Sequence, residues 1–172
     1  MSIAPLIEKL KDRNEADAFV YSDQLAGIGS PEVIDEMIKL LYDDDVEAQH
    51  LAARTLGKIE ENQSALEPLI EALNDPATKA AHGSFMEAML EFDISSKFVE
   101  VLKLYLNGSF KVSGMAKWAL DFKEFDITPR VLKKARKHWD HYTHNTKHDE
   151  EFEMKKQEVE TIFSDLEDLL EN

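Results

Sequence analysis

The chain has 172 residues, of which 43% are hydrophobic, and its 35 acidic and 20 basic residues give a formal charge of −15. This composition excludes disorder throughout and favours a single domain or one continuous array of repeats. The absence of cysteine excludes disulfides, zinc–thiolate sites and thiol nucleophiles, and it fits a reducing compartment.

Targeting and membrane segments are not expected. The N-terminal stretch MSIAPLIEKLKDRNE contains only a short apolar run before its first lysine, which argues against a signal peptide. No run of about 18 apolar residues is present, so we expect no membrane span and a cytoplasmic location. The strong negative charge repels phosphate backbones and anionic lipids and speeds encounter with basic proteins.

Paired apolar residues recur along the first three fifths of the chain at offsets of 31 or 32 residues. The pairs are Leu6-Ile7, Met37-Ile38, Leu69-Ile70 and Val101-Leu102. Each pair is followed by an Asp or Asn, residue types that end helices and cap the next one. These are Asp12, Asp43, Asp75 and Asn107. A second apolar-periodic segment follows each turn and ends near Ile28, Ile59, Phe92 or Phe125. The pattern predicts four consecutive helix–turn–helix units.

The five prolines support the same helix boundaries. Ser30-Pro31, Asp75-Pro76 and Thr128-Pro129 each combine an N-cap residue with proline at the first helical position, where the missing N–H costs nothing. Pro5 and Pro68 occupy matching places in two units, and residues 64–67 predict a capping box before Pro68. Because no alternating strand pattern appears, the predicted fold class is all-α.

The segment EFDIS at 91–95 returns as EFDIT at 124–128. We expect the phenylalanine to close one helix, and the Asp with Ser or Thr to make the turn and cap the next helix. Ile94 and Ile127 then act as hydrophobic staples. The repetition predicts that successive units pass the chain on with similar geometry.

Residues 45–60, DVEAQHLAARTLGKIE, resemble the second helix of a HEAT repeat, particularly the short variety named for phycobilisome lyases. The matching residues are Asp45, Ala52, Ala53, Leu56, Gly57 and Ile59. The resemblance covers about residues 4–128 and implies a right-handed α-solenoid of four to five helix pairs, with 1–128 forming four HEAT-like pairs. Gln49 and His82 replace the family's arginine, so we expect its Asp–Arg ladder to be absent.

The C-terminal residues 129–172 differ from the repeats. PRVLKKARKHWDHY at 129–142 predicts a basic helix, and a long amphipathic helix with an acidic outer face follows from about 149. Its apolar stripe comprises Phe152, Val159, Ile162, Phe163, Leu166, Leu169 and Leu170. We expect these two helices to cap the array within one continuous domain. A helix that docks on another protein is the alternative.

Four histidines, His138, His141, His144 and His148, raise the question of a metal site. A turn predicted at 144–146 would separate them, so we expect no metal and no cofactor. Among HEAT-repeat enzymes, deoxyhypusine hydroxylase uses His-Glu dyads, and this chain has no adjacent His-Glu pair. We therefore expect no enzymatic activity, with a lyase-type or metal-dependent HEAT-repeat enzyme as the alternative.

A nucleic-acid interface is another alternative, because HEAT-like DNA glycosylases hold a duplex on a basic surface. The basic residues here are Arg130, Lys133, Lys134, Arg136 and Lys137, near Trp139 and Tyr142. One such helix in a strongly acidic chain gives few phosphate contacts. We expect it instead to pack beside the acidic last helix, and we expect no nucleic-acid partner.

Helix-spaced aromatic residues in the third and fourth units are predicted to belong to the core. They are Phe85, Phe92, Tyr105, Phe110, Trp118, Phe122 and Phe125. Gly83 and Gly114 lie inside second helices and indicate close helix–helix approach.

The function that these features favour is protein binding through the surface of the second helices. The candidate exposed residues are Asp23, His50, Arg54, Lys58, Glu87, Glu91 and Glu124. Their acidic balance in the later units predicts a basic protein partner. An immunity or antitoxin-like protein that blocks a basic effector, such as a nuclease, is a concrete form of this role. The sequence does not indicate an oligomeric state.

Overall fold

The computed structural model describes residues 2–172, which form ten α-helices, two short 3-10 helices and no strand. The all-α fold class predicted from the sequence is confirmed. The α-helices are α1 (Ala4–Lys11), α2 (Ala18–Ile28), α3 (Pro31–Leu40), α4 (Val46–Lys58), α5 (Leu66–Leu73), α6 (His82–Met89), α7 (Phe98–Asn107), α8 (Phe110–Phe122), α9 (Pro129–Asn145) and α10 (Glu150–Glu171). The 3-10 helices are Gln63–Ala65 and Pro76–Ala81.

The chain forms two compact units, an N-terminal unit that ends at Asp93 and a C-terminal unit from Ile94 to Asn172. In the N-terminal unit α1 packs on α2, α3 on α4 and α5 on α6, and the second helices α2, α4 and α6 lie side by side. Met37 and Leu69, from the recurring apolar pairs, are fully buried there. None of the described helices is long and apolar enough to cross a membrane.

Capping residues start most helices where the sequence predicts. The side chains of Ser30, Asp75 and Thr128 accept hydrogen bonds from backbone N–H groups two or three residues on. The predicted capping box is wrong, because Ser64 lies in a 3-10 helix and Ala65 precedes α5 without a side-chain cap. The N–H of Leu66 donates to the carbonyl of Gln63, so the 3-10 turn satisfies a backbone N–H group at the start of α5 without a capping side chain.

Successive repeats of the N-terminal unit are linked by polar contacts about one repeat apart. The hydroxyls of Ser22 and Thr55 share a buried hydrogen bond of 2.9 Å. Arg13 lies 3.2 Å from the carboxylate of Asp45. Gln49, by contrast, donates to the carbonyl of Leu41 within its own repeat, at 3.1 Å. Gln49, at the family's arginine position, therefore binds within its own repeat, and other residue pairs connect neighbouring repeats.

Ser95, the last residue of EFDIS, contacts the second copy, EFDIT, within the C-terminal unit. The N–H of Asp126 donates to the carbonyl of Ser95 at 2.8 Å, and the rings of Phe98 and Phe125 pack edge to face at 5.5 Å. The second copy caps α9 through the Thr128 side chain. The prediction for Ser95 is wrong because α7 begins later, after Lys97, which makes no side-chain cap.

Helix α10 covers the C-terminal unit with the first part of its apolar stripe. Phe152, Val159 and Phe163 are buried, and Phe152 stacks on Trp139 at 5.9 Å. The end of the stripe projects into solvent, since Leu169 is 67% exposed.

The aromatic residues of α8 contradict their assignment to the core. Phe110 is 99% exposed, Phe122 71% and Trp118 48%, whereas Phe85, Phe92 and Tyr105 are buried and Phe125 is half-buried. The prediction is wrong because α8 turns its small residues inward. Its buried positions include Val112, Ala116 and Ala119. A side chain at Gly114 would also meet nothing within 4 Å, so the expected close approach is absent within the described chain.

Candidate functional site: a cleft along the second helices

A cleft of about 480 Å³ runs along the second helices of the N-terminal unit. We call it the α2–α4–α6 cleft. It is lined by Phe19, Glu47, His50, Leu51, Arg54, Gly57, Lys58, Ser84, Glu87, Ala88 and Glu91. Helix α4 forms its centre, because residues three, four and seven apart on a helix share one face.

Most of the predicted site residues come together here. His50, Arg54, Lys58, Glu87 and Glu91 line the cleft. The sixth, Asp23, lies at its edge and binds two of the lining side chains. The seventh, Glu124, is exposed between α8 and α9 in the C-terminal unit and belongs to no part of the cleft.

Both cations of the cleft pair with one carboxylate. Arg54 donates from Nη1 to Asp23 Oδ1 at 2.9 Å and to the Ser22 hydroxyl at 2.7 Å. Lys58 Nζ lies 3.4 Å from the same Asp23 oxygen. The hydrogen bond from Arg54 lowers the pKa of Asp23. The guanidinium of Arg54 also lies over the ring of Phe19, 4.9 Å from its centroid, so this group is held by three neighbours.

The other charged groups of the cleft are acidic. Glu47, Glu87 and Glu91 line it and are all exposed. Phe19, beside them, is 56% exposed. The cleft therefore presents three carboxylates and an aromatic ring beside two cations that pair with Asp23.

The floor of the cleft consists of small and apolar groups. A Cβ added to Gly57 would lie 3.3 Å from the Cα and carbonyl oxygen of Ala88, so the backbones of α4 and α6 are in close contact there. His50 Nε2 is buried without a hydrogen-bond partner. The tight contact fixes the spacing of the two helices that carry the acidic residues.

The model of the HEAT-repeat family matches residues 3–88, half of the chain. The chain belongs to the HEAT-repeat family. Neither a curated protein nor a solved structure matches it significantly. The match covers α1 to α5 and nearly all of α6, so the cleft of this HEAT-repeat protein is built by its repeats. The more specific resemblance to the phycobilisome-lyase variety stays a prediction.

Among the six lining residues of this HEAT-repeat protein that sequence reasoning missed are Phe19, Glu47 and Ser84. Helical spacing contained the signal for each. Phe19 lies four residues before Asp23, Glu47 lies seven before Arg54, and Ser84 lies three before Glu87. Extending each predicted stripe by one turn would have found them.

The four histidines do not form a common site. Helix α9 continues to Asn145, so the turn predicted at 144–146 begins later than expected and three histidines lie on one helix. Their rings have separate partners, however. His144 Nδ1 lies 2.6 Å from the Asp140 carbonyl, and the His148 ring stacks on Phe152 at 3.9 Å. Within residues 2–172, no group of three or more His, Asp or Glu residues is placed to hold a metal ion.

The basic residues of α9 in this HEAT-repeat protein lie on two different surfaces. Arg136 pairs with Glu167 of α10 and lies over Phe163, 4.8 Å from the ring centroid, as expected for packing beside the acidic helix. Lys134 and Lys137 instead line an open concavity. The other residues of this α7–α9 concavity are Lys103, Asn107, His138, His141 and Tyr142. Burial and nearby Lys103 lower the pKa of His138.

Proposed function

We propose that this HEAT-repeat protein is a non-enzymatic cytoplasmic binding module whose α2–α4–α6 cleft receives a basic segment of another protein. Stacked helical repeats commonly offer extended surfaces to protein partners. The cleft supports this role because it lies along three adjacent second helices and is large enough for one or two side chains of a guest.

The pairing of Arg54 and Lys58 with Asp23 carries the proposal. Without Asp23 the cleft would carry three carboxylates against two cations, a net charge of only −1. With it, the carboxylates of Glu47, Glu87 and Glu91 dominate the remaining field. A cationic guest side chain gains from these carboxylates, whereas an anionic one is repelled.

Phe19 adds a preference among cationic guests. An exposed aromatic ring beside carboxylates suits the flat guanidinium of arginine, which stacks on rings and forms paired hydrogen bonds with carboxylates. Lysine provides a point charge on a flexible stem and makes weaker use of the ring. We therefore expect arginine-containing segments to bind more tightly than lysine-containing ones.

The test is a titration of ¹⁵N-labelled protein with three peptides of equal length, rich in arginine, lysine or glutamate. The arginine peptide should shift amide signals of α2, α4 and α6 most strongly, and the glutamate peptide should shift none of them. Phe19→Ala should weaken the arginine peptide more than the lysine peptide. Shifts confined to the C-terminal unit would contradict the proposal.

One form of this role is an immunity or antitoxin-like inhibitor that covers a basic effector such as a nuclease. The net charge of −15 supports fast association with such a protein. The measurement is the activity of a panel of basic nucleases with and without the chain. Inhibition that is lost in the Glu87→Lys, Glu91→Lys double variant would support this form, and inhibition that persists would contradict it.

Nucleic-acid binding through the α7–α9 concavity is the second candidate function. The observation that favours it is the convergence of Lys103, Lys134 and Lys137 on one surface. Fluorescence anisotropy of labelled duplex DNA tests it directly. Lys134→Glu should abolish binding if this candidate is right, and DNA that does not bind the unmodified chain would exclude it.

A further inference from the structure

The α7–α9 concavity is lined by two packed helices of the C-terminal unit. Its volume of about 840 Å³ lies within the usual range for small-molecule sites. Helix α7 contributes Lys103 and Asn107, which lie four residues apart. Helix α9 contributes the residues at positions 134, 137, 138, 141 and 142. Residues three, four and seven apart share one face of a helix, so each helix presents a single stripe of side chains to the same space.

The concavity contains hydrogen-bond donors and no carboxylate. Each of its seven lining side chains can donate, and three of them carry an ammonium group. These are Lys103, Lys134 and Lys137. Within residues 2–172 no carboxylate pairs with any of the three, although Arg136 on the same helix pairs with Glu167. Three exposed cations therefore line one cavity without a counter-charge, in a chain of net charge −15.

The extent of the site favours a compact anion. Lys134 and His141 lie seven residues apart, which corresponds to about 10 Å along α9. A chain of two or three phosphates places several negative charges within this length. A DNA duplex, with one charge per about 1.7 Å of its axis, would continue past the lysines over the surface of an acidic protein, which repels it.

We propose that the α7–α9 concavity binds a small molecule through a group of two or three linked phosphates. Ammonium groups bind phosphate oxygens through charge-assisted hydrogen bonds, and no carboxylate in the lining competes for them. The inference is independent of the binding of a basic segment, because the α2–α4–α6 cleft belongs to the N-terminal unit. It also differs from the nucleic-acid candidate in the class of ligand that the concavity receives.

The ring of His138 reports whether the concavity is occupied. His138 is half-buried. Its pKa is lowered by burial and by three neighbouring side chains, namely Lys103, His141 and Lys134. Glu100 of α7 acts in the opposite direction.

A bound polyanion adds negative charge beside this ring and favours its protonated form, so the pKa of His138 should rise on binding. Ring signals followed by NMR from about pH 5 to 8 measure this change. The ring signals of His148, which lies outside the lining, should not respond to the ligand. A His138 ring that ignores bound tripolyphosphate would overturn the assignment of the site.

Calorimetric titration with sodium tripolyphosphate measures the affinity, using the whole chain at low ionic strength without divalent cations. One equivalent should bind with a dissociation constant below about 1 mM. Lys103→Ala and Lys134→Ala should each weaken binding at least about fivefold, because each removes a charge-assisted hydrogen bond. Lys133→Ala is the matched control. Lys133 precedes Lys134 on α9, is exposed as well and lies outside the lining, so its loss should weaken binding by less than about twofold through the overall charge.

Three further ligands define the source of the anion. Inorganic phosphate should bind more weakly than tripolyphosphate, because it reaches fewer lysines. Adenosine triphosphate should bind at least as tightly, where equal affinity assigns the site to the phosphate chain alone and higher affinity to a nucleotide. Duplex DNA at the same phosphate concentration should not displace tripolyphosphate. Affinity weaker than about 1 mM, equal losses in Lys133→Ala and Lys134→Ala, or DNA that binds through Lys134 more tightly than tripolyphosphate would each overturn the proposal.

Discussion

At the scale of single residues, one glycine sets the geometry of the cleft. A Cβ at Gly57 would lie 3.3 Å from two backbone atoms of Ala88 and 3.5 Å from its Cβ. Backbone atoms cannot move away by rotating about a side-chain bond, so the two helices would have to separate. Gly57 is part of the family pattern in α4. It sets the distance between α4 and α6 and therefore the spacing of the carboxylates that the two helices carry.

Gly57→Ala should destabilise the N-terminal unit by about 1–3 kcal/mol, the usual effect of overpacking a close contact. The matched control is Gly27→Ala, where nothing lies within 4 Å of the new Cβ. The control should stabilise the protein by up to about 1 kcal/mol through helix propensity. Urea denaturation monitored by circular dichroism measures both variants. Opposite signs are expected, and equal stabilisation would show that α4 and α6 can separate freely.

Residue-level features were predictable from the sequence where local chemistry decides them. Ser30 and Thr128 cap helices as their types and the following prolines indicate. Ser64 and Ser95 do not, because their turns continue for one or more residues before the next helix begins. The pairing of Asp23 with Arg54 was also out of reach, since the contact joins two repeats 31 residues apart.

At the scale of elements, α10 is attached by polar contacts as well as by its apolar stripe. Lys155 is buried, donates to the Leu106 carbonyl at 3.3 Å and pairs with Glu151 at 3.1 Å. The hydroxyl of Tyr105 donates to the carboxylate of Glu158. These contacts lie in the first half of the helix, and Arg136 pairs with Glu167 farther along it.

Truncation after Thr146 should destabilise the C-terminal unit and cause aggregation, because it removes all of α10. Phe152, Val159 and Phe163 are buried side chains that contribute about 1.5–3 kcal/mol each. Truncation after Glu167 removes only exposed residues and should leave the melting temperature nearly unchanged. Size-exclusion chromatography and thermal melting distinguish the two products. If the product truncated after Thr146 is as stable and soluble as the full chain, α10 is a free docking helix.

The contact between Tyr105 and Glu158 should make stability depend on alkaline pH. Burial and the Glu158 carboxylate raise the pKa of Tyr105. Above about pH 10 the unfolded chain loses this proton while the folded chain keeps it, so stability falls as pH rises. Tyr105→Phe should cost about 1 kcal/mol at neutral pH and should flatten the decline above pH 10. Urea denaturation at pH 8, 10 and 11 measures this, and parallel pH profiles would contradict the assignment.

The sequence predicted the elements better than it predicted their exposed faces. Amphipathic spacing placed α9 and α10, because a helix that buries one face needs apolar residues at regular intervals. The same reasoning failed for α8, where Phe110 and Trp118 look like core residues by type but lie on the solvent side. Periodicity shows that a helix has an apolar face and does not show whether this chain or another covers it.

At the scale of the whole molecule, net charge and local pairing contribute separately to recognition. The charge of −15 follows from composition alone and governs long-range attraction. The charge balance of the cleft depends also on the fold, because Asp23 pairs with Arg54 and Lys58 only when neighbouring repeats stack. The sequence could therefore predict a basic partner in general terms, while the placement of the site needed the structure.

A charge-reversal pair separates these two effects. Glu87→Lys with Glu91→Lys alters the cleft, whereas Glu60→Lys with Glu61→Lys alters exposed positions outside its lining, and both pairs change the net charge equally. Association with an arginine-rich peptide, measured by stopped-flow fluorescence, should slow for both pairs because the overall field weakens. The cleft pair should slow it much more and also speed dissociation, since complementary charge acts most strongly at contact.

Raising the ionic strength from about 0.02 to 0.3 M, over which the Debye length shrinks severalfold, should remove most of the difference in association rate between the two pairs. Equal effects of the two pairs, rates that ignore salt, or competition by duplex DNA would each rule out the cleft as the binding site.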